Sequence, residues 1–359
     1  MAIKISPDIA GIIPYSPGKP IEELERELGI SGSIKMASNE NSLGPSPKAL
    51  AVLAEAAKTL HRYPDGGGHY LRQALAERWK VAPDQIILGN GSDEIITFLS
   101  KVFLEPGDEA VMADPSFVIY KIDVAAVHAR PVFVPLKDHR HDLPAMAGRV
   151  TSRTRLVFVC NPNNPTGTYV TAAEVAAFLK AVPPDVIIVF DEAYYEYVTA
   201  DDYPHTLEIL KTGRPVVLLR TFSKIYGLAG LRIGYGLTTP EIVQHINRVR
   251  PPFNTNSLAQ RAALAALSDE DHVRESRRLN AEGMALLSGR LVALGLTVIP
   301  SQANFLYFDV KQDGKAVFDA LLRRGVIVRH LGGTFLRVTV GLPHENQRFI
   351  EALQAVLRS

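Results

Sequence analysis

The sequence predicts an α/β protein: a large domain built on a mostly parallel sheet flanked by helices, joined to a smaller α+β domain. Three observations carry that expectation. At 359 residues the chain exceeds the size at which one hydrophobic core stops growing. Short apolar runs alternate with longer amphipathic stretches from about Ile86 onward. After about Pro251 that rhythm gives way to long helical patterns mixed with a few strand-like runs.

The first 35 residues, rich in Pro and Gly and holding one helical pattern at Ile21 to Leu28, form an arm. The large domain is expected over residues 36–252. Its strands are the runs Ile86-Ile87-Leu88, Ala110-Val111-Met112, Leu156 to Val159, Val186 to Phe190 and Val216 to Leu219. Such continuous runs suit strands buried on both faces. Ala172 to Ala181 fits a crossover helix, with Thr171 as N-cap and Pro183-Pro184 ending it. Over residues 253–359 a small domain follows. It is expected to hold one long helical region from Asn256 to Leu294, strands at Asn304 to Val310, Val326 to Arg329 and Phe335 to Val340, a helix near Lys315 to Arg324, and a terminal helix.

Composition narrows the function. A formal charge of +1 gives no reason to expect nucleic acid or an acidic membrane as partner. No apolar segment reaches the roughly 20 residues that span a bilayer, and the N-terminus lacks a signal-length run, so a cytoplasmic protein is expected. The single Cys160 excludes an internal disulfide and a cysteine zinc cluster. None of the ten histidines has metal-ligand spacing, so no metal is expected.

In open parallel sheets ligands bind beyond the carboxyl ends of the strands, and four polar motifs stand there. Gly89-Asn90-Gly91-Ser92-Asp93-Glu94 leads into a helix start, either a capped turn or an anion site made by free N–H groups. Cys160 to Gly167, with three Asn and two Pro, is a turn of unusual length and composition. Asp191 ends a wholly apolar strand, either as a cap or as a desolvated carboxylate that needs a cation. Lys224, in Thr221-Phe222-Ser223-Lys224, either snorkels to solvent or serves as a Schiff-base lysine.

In this order, these motifs together with Arg232 resemble the pyridoxal-phosphate aminotransferases that share the aspartate aminotransferase fold, over nearly the whole chain. The resemblance implies pyridoxal 5'-phosphate as cofactor, held by Lys224 as a Schiff base. Lys224 would then move a proton between substrate and cofactor. It implies that Asp191 pairs with the ring nitrogen, that Asn164 and Tyr194 bond the ring's phenolic oxygen, and that Phe117 stacks on the ring face. The cofactor's phosphate would be held by the N–H groups of Ser92 and Asp93, the Ser223 hydroxyl and Arg232. Tyr63 would reach that phosphate from the neighbouring subunit of a homodimer with shared active sites.

Within the superfamily the chain is most similar to the histidinol-phosphate aminotransferases, through Ser38-Asn39-Glu40-Asn41, Arg62-Tyr63-Pro64, Ala303-Asn304-Phe305, Val328-Arg329 and Leu336-Arg337-Val338. It departs from their usual residues at Ser42 and His330. That likeness implies transfer of an amino group between L-histidinol phosphate, a phosphorylated amino alcohol, and 2-oxoglutarate, forming glutamate. Arg329 and Arg337 would bind phosphate or carboxylate, Asn39 would line the substrate side, and Tyr15 would close over it. Aromatic aminotransferases and threonine-phosphate decarboxylases share the scaffold and remain alternatives. A ligand-sensing module would need a DNA-binding domain, for which a 35-residue arm has no room.

Overall fold

The computed structural model describes residues 3–358. Its main element is a seven-stranded sheet in the order Ile86–Gly89, Gly234–Leu237, Val216–Thr221, Ile187–Asp191, Thr154–Cys160, Glu109–Asp114, Arg130–Pro135. All strands run parallel except Gly234–Leu237, which lies antiparallel to both neighbours. The central strands are buried on both faces: Ile188 and Phe190 enter one core, Ile187 and Val189 the other. Side chains alternate across a strand, so only an unbroken apolar run satisfies two cores at once. Because the strands are parallel, Gly89, Asp114, Cys160, Asp191 and Thr221 end at one edge, and the four polar motifs meet there.

A second, four-stranded antiparallel sheet runs Arg329–His330, Phe335–Thr339, Phe305–Asp309, Thr297–Ile299. It packs with the helices Glu270–Ala293, Gly314–Leu322 and Pro343–Leu357 around a third core. The segment after the arm's helix Ile21–Leu28 joins this part of the molecule: Ile34–Lys35 pairs in parallel with Val326–Ile327, and Met36 enters the same core. Among the described residues no helix is long and apolar enough to cross a membrane.

Thr171 caps the helix Ala172–Ala181 as expected, within a capping box: its hydroxyl accepts from Glu174 N–H at 3.3 Å, and Glu174 accepts from Thr171 N–H at 2.7 Å. Three local expectations are corrected. The long region from Asn256 to Leu294 is two helices, Ser257–Leu267 and Glu270–Ala293. Asp269 breaks it by accepting from Ser46 Oγ at 2.6 Å and from Lys48 N–H at 3.3 Å, at the start of the helix Pro47–Ala57. Ser257–Leu267 then packs on that helix, in the large sheet's core. The run Val326 to Arg329 splits between two sheets. The strand Gly234–Leu237 was not expected, because its Gly-Tyr-Gly-Leu sequence carries no apolar run. Its first glycine is sterically required: a Cβ on Gly234 would lie 2.5 Å from Ser92 N.

Candidate active site

Asp191 is the last residue of its strand and 4% exposed. Tyr120 Oη donates to one carboxylate oxygen at 2.6 Å and Ala193 N–H to the other at 3.2 Å. No cation pairs with it among the described residues. Burial therefore pushes its carboxyl up to about 6, against the pull of its two donors.

Lys224 stands three residues past the neighbouring strand Val216–Thr221. Its Nζ donates to Ser38 O at 3.3 Å and sits 5.7 Å from the centre of the Tyr194 ring. Burial, and then the positive charge of Arg337, pull its ammonium down to about 8. About a tenth of the amine is then neutral at pH 7, far more than for an ordinary lysine.

The helix Ser92–Phe103 begins directly behind Gly91, and no side chain caps it. Gly91 has φ +86°, and a Cβ there would lie 2.2 Å from Asp93 Oδ1 and 2.5 Å from Arg232 Nη2. Arg232 donates to Asp93 Oδ1 at 3.0 Å. Phe222 N–H donates to Ile233 O at 3.1 Å, tying the turn of Ser223 and Lys224 to that of Arg232. The helix start at Ser92 and Arg232 thus meet at Gly91, a residue that admits no side chain, and such a pairing can receive an anion.

The substrate side is built by the second sheet. Arg337, on Phe335–Thr339 and 7% exposed, donates to Asn164 Oδ1 and, at 2.7 Å, to Ala37 O. Its Nε has no partner, and no carboxylate pairs with it among the described residues. Burial and the nearby Arg329 hold its pKa below the usual arginine value. Arg329 donates to Ser16 O at 2.6 Å and lies 5.7 Å from the Tyr15 ring. Tyr15 is half exposed.

Asn39 sits in the left-handed region at φ +55°, a conformation asparagine tolerates. Its amide donates to Tyr194 Oη at 2.8 Å and accepts from Thr339 Oγ1 at 3.1 Å, so both ends of the side chain are engaged within the protein. Phe117 meets Tyr120 edge-on at 5.5 Å, and Tyr120 stacks on Phe158 at 4.6 Å.

Thirteen of the fourteen expected site residues thus join one connected neighbourhood. The exception within one chain is Tyr63. It is 83% exposed, stacks on Phe253 at 4.8 Å, and borders a surface cleft of about 280 Å³ with Arg62, Tyr70 and Arg261.

Sequence reasoning missed Tyr120, Thr339 and the carbonyl of Ser38, and gave Asn304 no role. Asn304 donates to the carbonyls of Asn39 and Glu40 at 3.2 and 3.3 Å. Tyr120 had a signal: it follows Phe117 by three residues in the first turn of a helical stretch, and the two rings meet edge-on.

The residues fit pyridoxal 5'-phosphate. A buried carboxylate lacking a cation suits a protonated ring nitrogen, the pairing at Gly91 suits a phosphate, and a partly neutral amine suits an aldehyde.

Comparison with known proteins agrees. Residues 31–353 match the family model for aminotransferase class I and II. The histidinol-phosphate aminotransferase of Moorella thermoacetica is 53% identical over 354 residues, covering 97% of this chain and 92% of the relative. Histidinol-phosphate aminotransferase 1 of Nitrosococcus oceani is 50% identical over 353 residues, covering 97% and 95%. The crystal structure of histidinol-phosphate aminotransferase from Sinorhizobium meliloti, in complex with pyridoxal-5'-phosphate, superimposes with a TM-score of 0.92. It is 32% identical and covers 100% of this chain and 98% of that one. On these matches this chain belongs to the class I and II aminotransferases and, within them, to the histidinol-phosphate aminotransferases.

Proposed function

We propose that the protein exchanges an amino group between L-histidinol phosphate and 2-oxoglutarate, giving imidazole acetol phosphate and glutamate as a step of histidine biosynthesis. The observation that carries this reading is Arg337: a buried guanidinium without an ion pair, beside Arg329 and electrostatically coupled to the Lys224 amine. A planar cation accepts a phosphate in one half-reaction and a carboxylate in the other. One site then serves both substrates in turn.

When bound, pyridoxal 5'-phosphate supplies a carbonyl carbon to carry the amino group and a ring that withdraws electrons from the substrate's amine-bearing carbon. The chain's own groups do the rest. Lys224 Nζ holds the cofactor between turnovers. As a neutral amine it would take the proton from the amine-bearing carbon and deliver it to the carbon that was the cofactor's carbonyl, and it would run the reverse transfer in the other half-reaction. Asp191, fixed by Tyr120 and Ala193, keeps the ring nitrogen protonated. Arg337 occupies Asn164 Oδ1, which leaves the Asn164 amide N–H to donate toward the ring's phenolic oxygen. Asn39 likewise donates to Tyr194 Oη, whose own proton is left for the same oxygen. Ser92 and Asp93 N–H, Ser223 Oγ and Arg232 hold the cofactor's phosphate, and Phe117 covers the ring face. Tyr15 closes over the substrate, beside Arg329.

A homodimer with shared active sites belongs to the same proposal. Its support is Tyr63, which projects from a cleft that its own site does not use. We also propose an arm at 1–35, a large domain at 36–252 and a small domain at 253–359 whose first helix, Ser257–Leu267, packs into the large domain's core, and a cytoplasmic location, supported by the buried free thiol of Cys160.

The test is a visible spectrum of the purified, cofactor-loaded protein during separate additions of histidinol phosphate, phenylalanine and threonine phosphate. Loss of the cofactor's visible band fastest with histidinol phosphate, restored by 2-oxoglutarate, is the expected result. An equal response to phenylalanine moves the reading to an aromatic aminotransferase. Release of CO₂ from threonine phosphate moves it to a decarboxylase.

A further inference from the structure

Behind the cofactor face lies a buried chain of polar side chains that none of the steps above uses. Its hydrogen positions can be deduced from one end. His139 O is a carbonyl and only accepts, so Thr168 Oγ1 donates to it at 2.7 Å. Thr168 Oγ1 must then accept from Thr166 Oγ1 at 2.8 Å. Thr166 in turn accepts from Asn163 Nδ2 at 3.0 Å, and the same amide nitrogen donates to Pro115 O at 3.3 Å. The amide is therefore oriented with its oxygen toward two donors, Ser116 Oγ at 2.9 Å and His141 Nε2 at 3.1 Å. His141 must carry its proton on Nε2. Its Nδ1 is buried without a partner among the described residues, as a bare lone pair can be and an N–H cannot cheaply be. Asn163, Thr166, Thr168 and His141 are all at most 7% exposed, so this polarity is not exchanged with water. Burial pulls His141 down to about 4, which keeps the ring neutral over the working pH range.

The chain lies between functional loops. Ser116 precedes Phe117, the residue placed on the cofactor's ring face, and Asn163 precedes Asn164, which accepts from Arg337. The far end, His139, lies 5.8 Å from the Tyr307 ring and 5.4 Å from the Phe335 ring, on the sheet that carries Arg337. We propose that His141 and Asn163 are positioning residues that lock the Phe117 loop to the Asn164 loop, fixing the stacking face and the substrate-gripping Arg337 relative to Lys224. The inference rests on the functional reading above for the roles of Phe117 and Arg337, and on geometry alone for the hydrogen-bond polarity.

The experiment has two arms. Nitrogen-15 spectra of the histidines in the cofactor-free protein report the tautomer of His141 without reference to catalysis. A protonated Nε2 is expected, and a protonated Nδ1 overturns the proposal. The second arm compares His141→Gln, whose amide can donate from the place of Nε2, with His141→Leu, which cannot, each loaded with pyridoxal phosphate. His141→Gln is expected to keep the visible circular dichroism of the bound cofactor and the wild-type KM. His141→Leu should lose much of that dichroism and raise the KM for histidinol phosphate about tenfold, the scale of one lost buried hydrogen bond. Ser116→Ala removes the other donor to the same oxygen, and should shift both readings in the same direction by about threefold even if His141→Leu fails to fold. Folded His141→Leu or Ser116→Ala protein with unchanged dichroism and KM overturns the proposal. Wild-type protein that takes up no cofactor overturns the functional reading instead, and the tautomer still tests the hydrogen-bond chain.

Discussion

Asp191 and Glu192 are consecutive buried carboxylates on opposite faces of the same sheet, and their surroundings could hardly differ more. Glu192 is 0% exposed and closed upon itself: Arg220 Nε and Nη2 donate to it at 3.0 and 2.8 Å, and Thr206 donates to its other oxygen. The Arg220 guanidinium is also clamped between the rings of Trp79 at 4.0 Å and Tyr195 at 3.5 Å. Among the described residues Asp191, on the other face, has donors but no paired cation, and Arg337 on the substrate side is a buried cation with no paired anion. Burial alone is therefore a poor marker of function. A buried charge whose partner is present supports the fold; one whose partner is missing is set for a ligand.

The largest expected effect lies on the closed face. Glu192→Gln removes the carboxylate that Arg220 is bonded to, leaving only the more distant Glu196 as counter-charge among the described residues, and should cost about 3–5 kcal/mol of stability, read by denaturant unfolding of the cofactor-free protein. Asp191→Asn removes a charge that has no partner and should leave that stability unchanged or higher at neutral pH. It should instead lower turnover roughly 100-fold, the scale of one buried charge-assisted hydrogen bond. Equal destabilisation by both substitutions would erase the distinction between the two faces.

On the substrate side, Arg337→Lys keeps a positive charge but loses the fork that reaches Asn164 and Ala37 together. Steady-state kinetics should show kcat/KM falling by roughly 30- to 100-fold for histidinol phosphate and 2-oxoglutarate alike, with little change in unfolding free energy. A loss confined to one substrate would mean that two anion sites, not one, serve the two half-reactions.

pH dependence separates the same groups by sign. The folded carboxyl of Asp191, at about 6, lies above the ordinary aspartate value of 3.8, so between those limits the folded state binds more protons than the unfolded. The stability this group contributes is lost as pH rises from about 4 to 6. His141, held at about 4 against an ordinary 6.5, works in the opposite sense: its contribution is lost as pH falls through that window. The two largely cancel in the wild type. Asp191→Asn should gain about 2–3 kcal/mol over the wild type between pH 4 and pH 7, from the two-unit shift of Asp191. His141→Gln should instead gain relative to the wild type as pH falls from 6.5 to 4. Thermal melts of cofactor-free protein at several pH values read both slopes.

How much of this could be seen in the sequence follows from how local each feature is. The strands Thr154–Cys160 and Ile187–Asp191 were legible because two cores demand continuous apolar runs, and the polar residues that end them stood out against those runs. Asp191, Lys224 and the Ser92 helix start stood out for that reason, while Arg232 and every role came from the resemblance. The strand Gly234–Leu237 was not legible, since its glycines answer to a backbone passing close by rather than to a core. Residues that act through distant partners left no pattern either. Tyr120 meets Asp191 across 71 positions and Asn39 meets Thr339 across 300, and neither spacing carries a period. The break at Asp269 is of the same kind, made by Ser46, 223 positions away.

The smallest effect belongs to Arg329, and it sharpens the comparison at its open end. Unlike Arg337, it is only partly buried, its side chain reaching Ser16 O and the half-exposed Tyr15. Solvent screens a charge in that setting, so Arg329→Ala should raise KM by only about fivefold and leave kcat unchanged. A phosphate carries up to two negative charges and each 2-oxoglutarate carboxylate one. The rise should therefore be greater for histidinol phosphate, and should shrink as salt is added. Arg329→Lys should restore most of the loss, because a screened point charge needs no fork, whereas the same exchange at Arg337 should not. If lysine fails equally at both positions, Arg329 grips its anion as directionally as Arg337 does, and the open region extends as far as Tyr15.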